Sequence, residues 1–176
     1  MDNLVYGQKK SRKINLKISP QADFREILQA LEALALPDFV SNEQNIKYAV
    51  LELVNNSLRV HREKKVEREI VATFTVEPDR LKISVKDFGG GFNPNSLPYK
   101  LNEDHSRIDP RNSQFLAYQQ KNNYLRFGMG LLLAKKTFPH FELVFFDAQG
   151  KPVPWESGRV SGTLINLSIG AYGHGQ

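Results

Sequence analysis

Apolar positions change their spacing several times along the chain, and each change marks an element. Ile14, Leu16 and Ile18 alternate with polar residues, which predicts a short strand. Ser19 and Pro20 then supply a helix start, with serine as cap and proline in the first turn. Phe24, Ile27, Leu28, Leu31 and Leu34 follow at helical spacing until Pro37 closes the run. Ser41-Asn-Glu-Gln44 has the form of a capping box. It opens a second helix with inward positions Ile46, Ala49, Val50, Leu53, Ser57 and Val60. The charged stretch 62–69 reads as a solvated connection. Two period-2 runs, 70–76 and 81–87, predict strands joined by a hairpin turn at Glu77-Pro-Asp-Arg80.

From Phe92 to Phe127 prolines, asparagines and charges interrupt any periodicity, apart from a short helix expected around Phe115 to Tyr118. A loop of that length within one domain is commonly a functional lid. Residues 131–138 read as a buried helix ended by Pro139, and 141–146 and 163–169 as two further strands separated by a Gly/Pro-rich turn region. The first dozen residues are polar and basic and are expected to fray. This order predicts a single α+β domain over 1–176, with a mixed, mainly antiparallel sheet, helices on one face and a lid insertion at 92–127.

Composition narrows the function classes. The chain of 176 residues suits one domain with a full core. No apolar run reaches the roughly 20 residues that span a bilayer, and no signal-peptide core opens the chain, so no membrane partner is expected. The absence of cysteine excludes disulfides, thiol nucleophiles and thiolate metal sites, and fits a cytoplasmic protein. A net charge of +5 suits an anionic ligand without choosing among nucleotide, nucleic acid and acidic protein.

Three places break the structural pattern. Glu52 and Asn56 lie four apart on the second helix and project from one side beside the apolar stripe; a solvated pair at a helix boundary is the ordinary alternative. Asp87 falls in phase with Leu81, Ile83 and Val85, so the strand period points a carboxylate at the core. Burying it unpaired is costly, so it calls for a specific donor, of which an adenine amino group is one. Gly89, Gly90 and Gly91 let the backbone turn and approach a flat ligand closely, although a strand-ending Asp-Gly turn is common. Gly128-Met-Gly130 precedes a helix whose free amides attract phosphate, but neither a Walker A loop nor a dinucleotide fingerprint is present.

Taken in order, Glu52-Leu-Val-Asn-Asn56-Ser, Asp87-x-Gly89-x-Gly91-Phe, Phe127-Gly-Met-Gly-Leu131 and Ser161-Gly-Thr163 resemble the N-box and glycine boxes of the GHKL ATPase superfamily, which includes gyrase B, MutL and the histidine kinases. The resemblance covers almost the whole chain and implies an α+β two-layer sandwich of the Bergerat ATP-binding type. Its N-terminal third, Ile14 to Ser57, looks most like the small anti-sigma-factor serine/threonine kinases. It implies ATP and Mg²⁺ as cofactors. Glu52 would be the general base, and Asn56 the Mg²⁺ ligand and a nucleotide contact. Asp87 would bind the adenine amino group with Thr163 in support and Gly89 and Gly91 beside it, and Gly128, Met129, Gly130 and Leu131 would form the phosphate turn.

The sequence also departs from that pattern. Val60 stands where a basic or aromatic residue is usual, with Arg59 before it and His61 after, so either is left to reach phosphate. Leu132 replaces the third glycine. Lys100, Arg107, Arg111, Lys121 and Arg126 are lid cations that could meet the γ-phosphate, and Arg126, beside the phosphate turn, is the one selected. The four histidines lack metal-ligand spacing. Lys9 to Lys13 and Lys64, Lys65 and Arg68 form basic clusters without a groove-entering motif, which disfavours nucleic acid. Trp155 is expected to pack over the sheet end.

Three functions follow from the resemblance. The first is an anti-sigma-type kinase that phosphorylates a small antagonist protein, with a sigma factor or antagonist as partner. The second is a histidine kinase catalytic domain acting in trans; no dimerising hairpin with a phosphoaccepting histidine fits ahead of the N-box. The third is a nucleotide-gated binding module with little turnover. Oligomeric state is left open, with a homodimer allowed.

Overall fold

A computed structural model describes residues 3–123 and 129–170. Its main sheet has five strands in the order β3-β5-β6-β8-β7, every neighbouring pair antiparallel: β3 (Lys13–Ile18), β5 (Ile70–Glu77), β6 (Arg80–Asp87), β7 (His140–Phe146) and β8 (Gly162–Gly170). Burial alternates with period 2 along β5 and β6, so Ile70, Ala72, Phe74, Val76, Leu81, Ile83 and Val85 face one layer of helices. The β5–β6 turn is two residues long, since Glu77 pairs with Arg80. Phe74 is fully buried among these side chains, and truncating such a phenylalanine to alanine costs about 3–5 kcal/mol.

Helix α1 (Phe24–Glu32) and helix α2 (Glu43–Glu63) supply the opposing layer, with Ile27, Leu31, Ile46, Ala49, Val50, Leu53, Val54 and Leu58 in the same core. The start of α1 differs from the sequence expectation. Asp23 is the cap: its carboxylate accepts from Glu26 N at 2.9 Å while Glu26 accepts from Asp23 N at 2.8 Å, a complete capping box. Ser19 instead closes a turn, its hydroxyl donating to Gln21. Asn42 precedes α2 without a side-chain cap, so the box expected at Ser41–Gln44 does not form. An ion pair between Glu43 and Lys47 at 2.6 Å supports the first turn instead. The helix continues two residues into the stretch read as a connection.

The N-terminal residues also correct the expectation. Described residues of the first dozen form a hairpin, β1 (Leu4–Tyr6) and β2 (Lys9–Ser11), turned at Gly7 with φ 60°. Helix α1 ends at Glu32, so Leu34 is not helical; with Ala35 it makes β4 (Leu34–Ala35), which pairs with β1. Leu4 and Leu34 are both fully buried, which anchors this small second sheet on the core.

Between β6 and helix α4 (Gly130–Thr137) the described residues form two 3-10 turns and helix α3 (Ser113–Lys121), longer than the helix expected there. Asn112 caps α3 by accepting from Phe115 N at 3.0 Å. This segment has a small core of its own, in which Tyr99, Ile108 and Phe115 pack against Leu132 of α4. Lys135 of α4 also donates to the carbonyls of Leu101 and Glu103. The segment thus sits on the same helix whose start faces α2. No helix among the described residues is long and apolar enough to cross a membrane.

Candidate functional site

Asp87 ends β6 on the buried side of the sheet, as its phase requires, and is 8% exposed. Its Oδ2 accepts from the Ser57 hydroxyl at 3.0 Å and from the Thr163 hydroxyl, and its Oδ1 accepts from Gly89 N at 2.8 Å. Three donors fix the carboxylate in one orientation. The β6–β8 register places Thr163 directly opposite Asp87. Gly162 is required next to it, because a side chain there would collide with the Asp87 carbonyl and the Phe146 ring.

The turn after Asp87 is equally constrained. Gly90 and Gly91 have φ of 77° and 72°, a region that L side chains rarely adopt. A side chain at Gly89 would run into Val60. Gly91 lies against Val160, Phe145 and Trp155, and Trp155 itself tilts onto Phe145 with centroids 5.5 Å apart. Trp155 therefore packs at the sheet end, as expected.

His61 supports the turn from α2. Its Nε2 accepts from Phe88 N at 2.9 Å and its Nδ1 lies 3.1 Å from the Arg68 carbonyl, an acceptor, so Nδ1 carries the proton and the ring is neutral. Burial lowers the pKa of this histidine, opposed by Asp87, whose Oδ1 is 4.0 Å from Nε2. His61 is completely buried, so of the two cations considered for phosphate it is the one placed out of reach. The sequence signal for this role was its distance from Asn56, five residues rather than four, which rotates the ring toward the sheet.

A cavity of about 360 Å³ opens over Asp87, within the range of small-molecule sites. Glu52, Asn56 and Arg59 line one wall, and Met129, Gly130 and Leu131 approach from the start of α4. Asp87, Gly91 and Thr163 lie at the sheet end. Gly130 sits so close to the Asn56 amide that any β-carbon would overlap it. Gly89 acts from below, through its amide on Asp87. Arg126 and Gly128 lie outside the described residues. Lys100 and Lys121 line a separate groove between residues 94–103 and α3, Arg111 pairs with Asp109 at 3.2 Å, and Arg107 is exposed. None of these four lines the cavity. Sequence reasoning missed Ser57, read only as an apolar-stripe position, and Tyr99 and Tyr118 of the segment between β6 and α4, which also line it.

Among the described residues no three His, Asp or Glu side chains cluster as a metal site. Glu52 and Asn56 contribute two oxygen-bearing side chains to one wall, which fits a hard cation that keeps waters and phosphate oxygens as its other ligands better than a dedicated metal cage.

The family described as the histidine kinase-like ATPase domain matches residues 19–152, well over half of the chain. No curated protein matches it in sequence. The chain belongs to the histidine kinase-like ATPase domain family.

Proposed function

We propose that this protein is a Mg-ATP-dependent regulatory kinase of the anti-sigma type, which transfers phosphate to a serine or threonine of a small antagonist protein. The observation that carries the reading is the position of Glu52. Its carboxylate lines the cavity one helical turn before Asn56 and on the same wall.

Asp87 accepts the adenine amino group, held in orientation by Ser57, Thr163 and Gly89. Met129, Gly130 and Leu131 bring main-chain amides to the phosphates. Asn56 would hold Mg²⁺ through its amide oxygen, and the ion would supply charge neutralisation at the phosphates. Arg59 adds a positive charge on the same wall. Glu52 takes the proton of the acceptor hydroxyl as that oxygen bonds to the γ-phosphorus and the bond to the ADP oxygen breaks. Charge neutralisation and positioning are sufficient for this chemistry.

The test is incubation with labelled ATP and candidate antagonist proteins. Label should reach a serine or threonine of one antagonist in the wild type and be lost in Glu52→Ala. If Glu52→Ala labels the antagonist as fast as wild type, the mechanism is wrong. Tight Mg-ATP binding with no transfer to any partner would favour a nucleotide-gated binding module instead.

A further inference from the structure

Tyr99 is 6% exposed, and its ring stacks on Phe115 of α3 with centroids 5.8 Å apart and planes 19° apart. It forms part of the cavity wall together with Tyr118. Its hydroxyl is buried without a hydrogen-bond partner among the described residues. Burial raises the phenol pKa, and the neighbouring Tyr118 raises it further, so the hydroxyl keeps its proton and is a donor throughout the physiological range.

A phenylalanine would make the same stack and fill nearly the same volume, so the oxygen is the only part of Tyr99 that packing does not explain. An unpaired buried hydroxyl costs stability, and buried polar groups are nearly always paired. Tyr99 lies in the segment between β6 and α4, which contributes to the same cavity lining as Asp87 and Thr163.

We propose that Tyr99 is a nucleotide-contacting residue whose hydroxyl donates to an acceptor oxygen of the bound nucleotide, either a ribose hydroxyl or a phosphoryl oxygen. The inference rests on the cavity being the nucleotide site. The hydroxyl is shielded in the free protein, so the contact forms when segment 97–101 settles onto the ligand. The free protein then carries the cost of the unpaired group, and the bound protein relieves it, which couples closure of this segment to nucleotide occupancy.

The experiment compares wild type with Tyr99→Phe, by thermal melting without nucleotide and by calorimetric titration with Mg-ATP, Mg-ADP and the 2′- and 3′-deoxy analogues of ATP. Without nucleotide, the variant should melt at or above the wild-type temperature, because a hydroxyl with no partner is removed. Its affinity for ATP should fall about tenfold, the effect of losing one hydrogen bond. A deficit that disappears with one deoxy analogue assigns the ribose oxygen. A deficit that disappears with ADP assigns the γ-phosphoryl group, and one that persists throughout assigns an inner phosphate. Equal ATP affinities in the two proteins overturn the proposal, as does a variant that melts well below wild type, since the hydroxyl then has a partner in the free protein. If wild type itself binds no ATP, the nucleotide reading of the cavity fails first and this inference falls with it.

Discussion

Ser57 on α2 donates its hydroxyl to Oδ2 of Asp87 at 3.0 Å, which pins the helix carrying Glu52 and Asn56 to the strand that ends at the cavity floor. The bond joins residues thirty apart in sequence and is shielded from water. It aligns the wall of the cavity that bears Glu52 with the buried carboxylate at its floor.

Asp87→Asn is expected to weaken ATP binding roughly 10- to 100-fold. The amide replaces one acceptor oxygen with a donor. Ser57, Thr163 and Gly89 together present three donors, so at least one of them would face an N–H. A stability loss of about 1–3 kcal/mol should accompany it. Nucleotide titration and denaturant unfolding measure the two effects separately, and unchanged ATP affinity would remove Asp87 from the base site.

Gly130→Ala sets two effects against each other. Alanine is favoured over glycine in a helix by about 1 kcal/mol, and Gly130 is the first residue of α4. Its β-carbon, however, would overlap the Asn56 amide. Overpacking of this kind costs about 1–3 kcal/mol, so the clash is expected to win, displacing Asn56 and lowering Mg-ATP affinity at least tenfold. A variant that is more stable than wild type and binds Mg-ATP normally would show that the α2–α4 approach is slack.

The parts of this fold that were legible in sequence are those in which one face is buried. Period 2 over Leu81, Ile83 and Val85 located β6 and placed Asp87 on the core side, and the Pro78-Asp79 turn followed from composition. The N-terminal hairpin was not legible. Its strands are three residues long, and Lys9 and Lys10 stand where a buried strand would show apolar alternation; only Gly7 in its turn gave a signal. The α1 cap was misplaced because Ser19-Pro20 and Asp23-x-x-Glu26 are both legitimate helix starts, and the reciprocal pair at Asp23 satisfies two amides where Ser19 would satisfy one. In the site, residue types could be read but side-chain destinations could not. His61 was a phosphate candidate by charge, whereas its neutral ring is committed to Phe88 and Arg68.

Glu52→Gln should separate binding from transfer. Glu52 is half-buried on the cavity wall, and glutamine keeps its shape while removing the basic oxygen. Nucleotide affinity is expected to stay within about threefold. Phosphotransfer should fall by roughly 10²–10⁴, the usual contribution of a positioned base. A parallel loss of affinity and transfer would instead make Glu52 a binding residue.

Acid should loosen the site through His61. Burial holds its folded-state pKa below the ordinary histidine value of 6.5, while the unfolded chain keeps a value near the ordinary one. Between those two values the unfolded chain binds the extra proton, so stability rises with pH across that window. The contribution is complete above about pH 6.5 and is lost as pH falls from there toward the depressed folded value. Protonation would also remove the acceptor that Phe88 N uses and release the turn bearing Gly89, Gly90 and Gly91. His61→Gln should therefore lower stability at pH 8 yet flatten its dependence on pH below 6.5, measured as the difference between denaturant midpoints of variant and wild type. A difference that does not change with pH would mean that His61 is not the proton-binding group, and that the turn is held by shape alone.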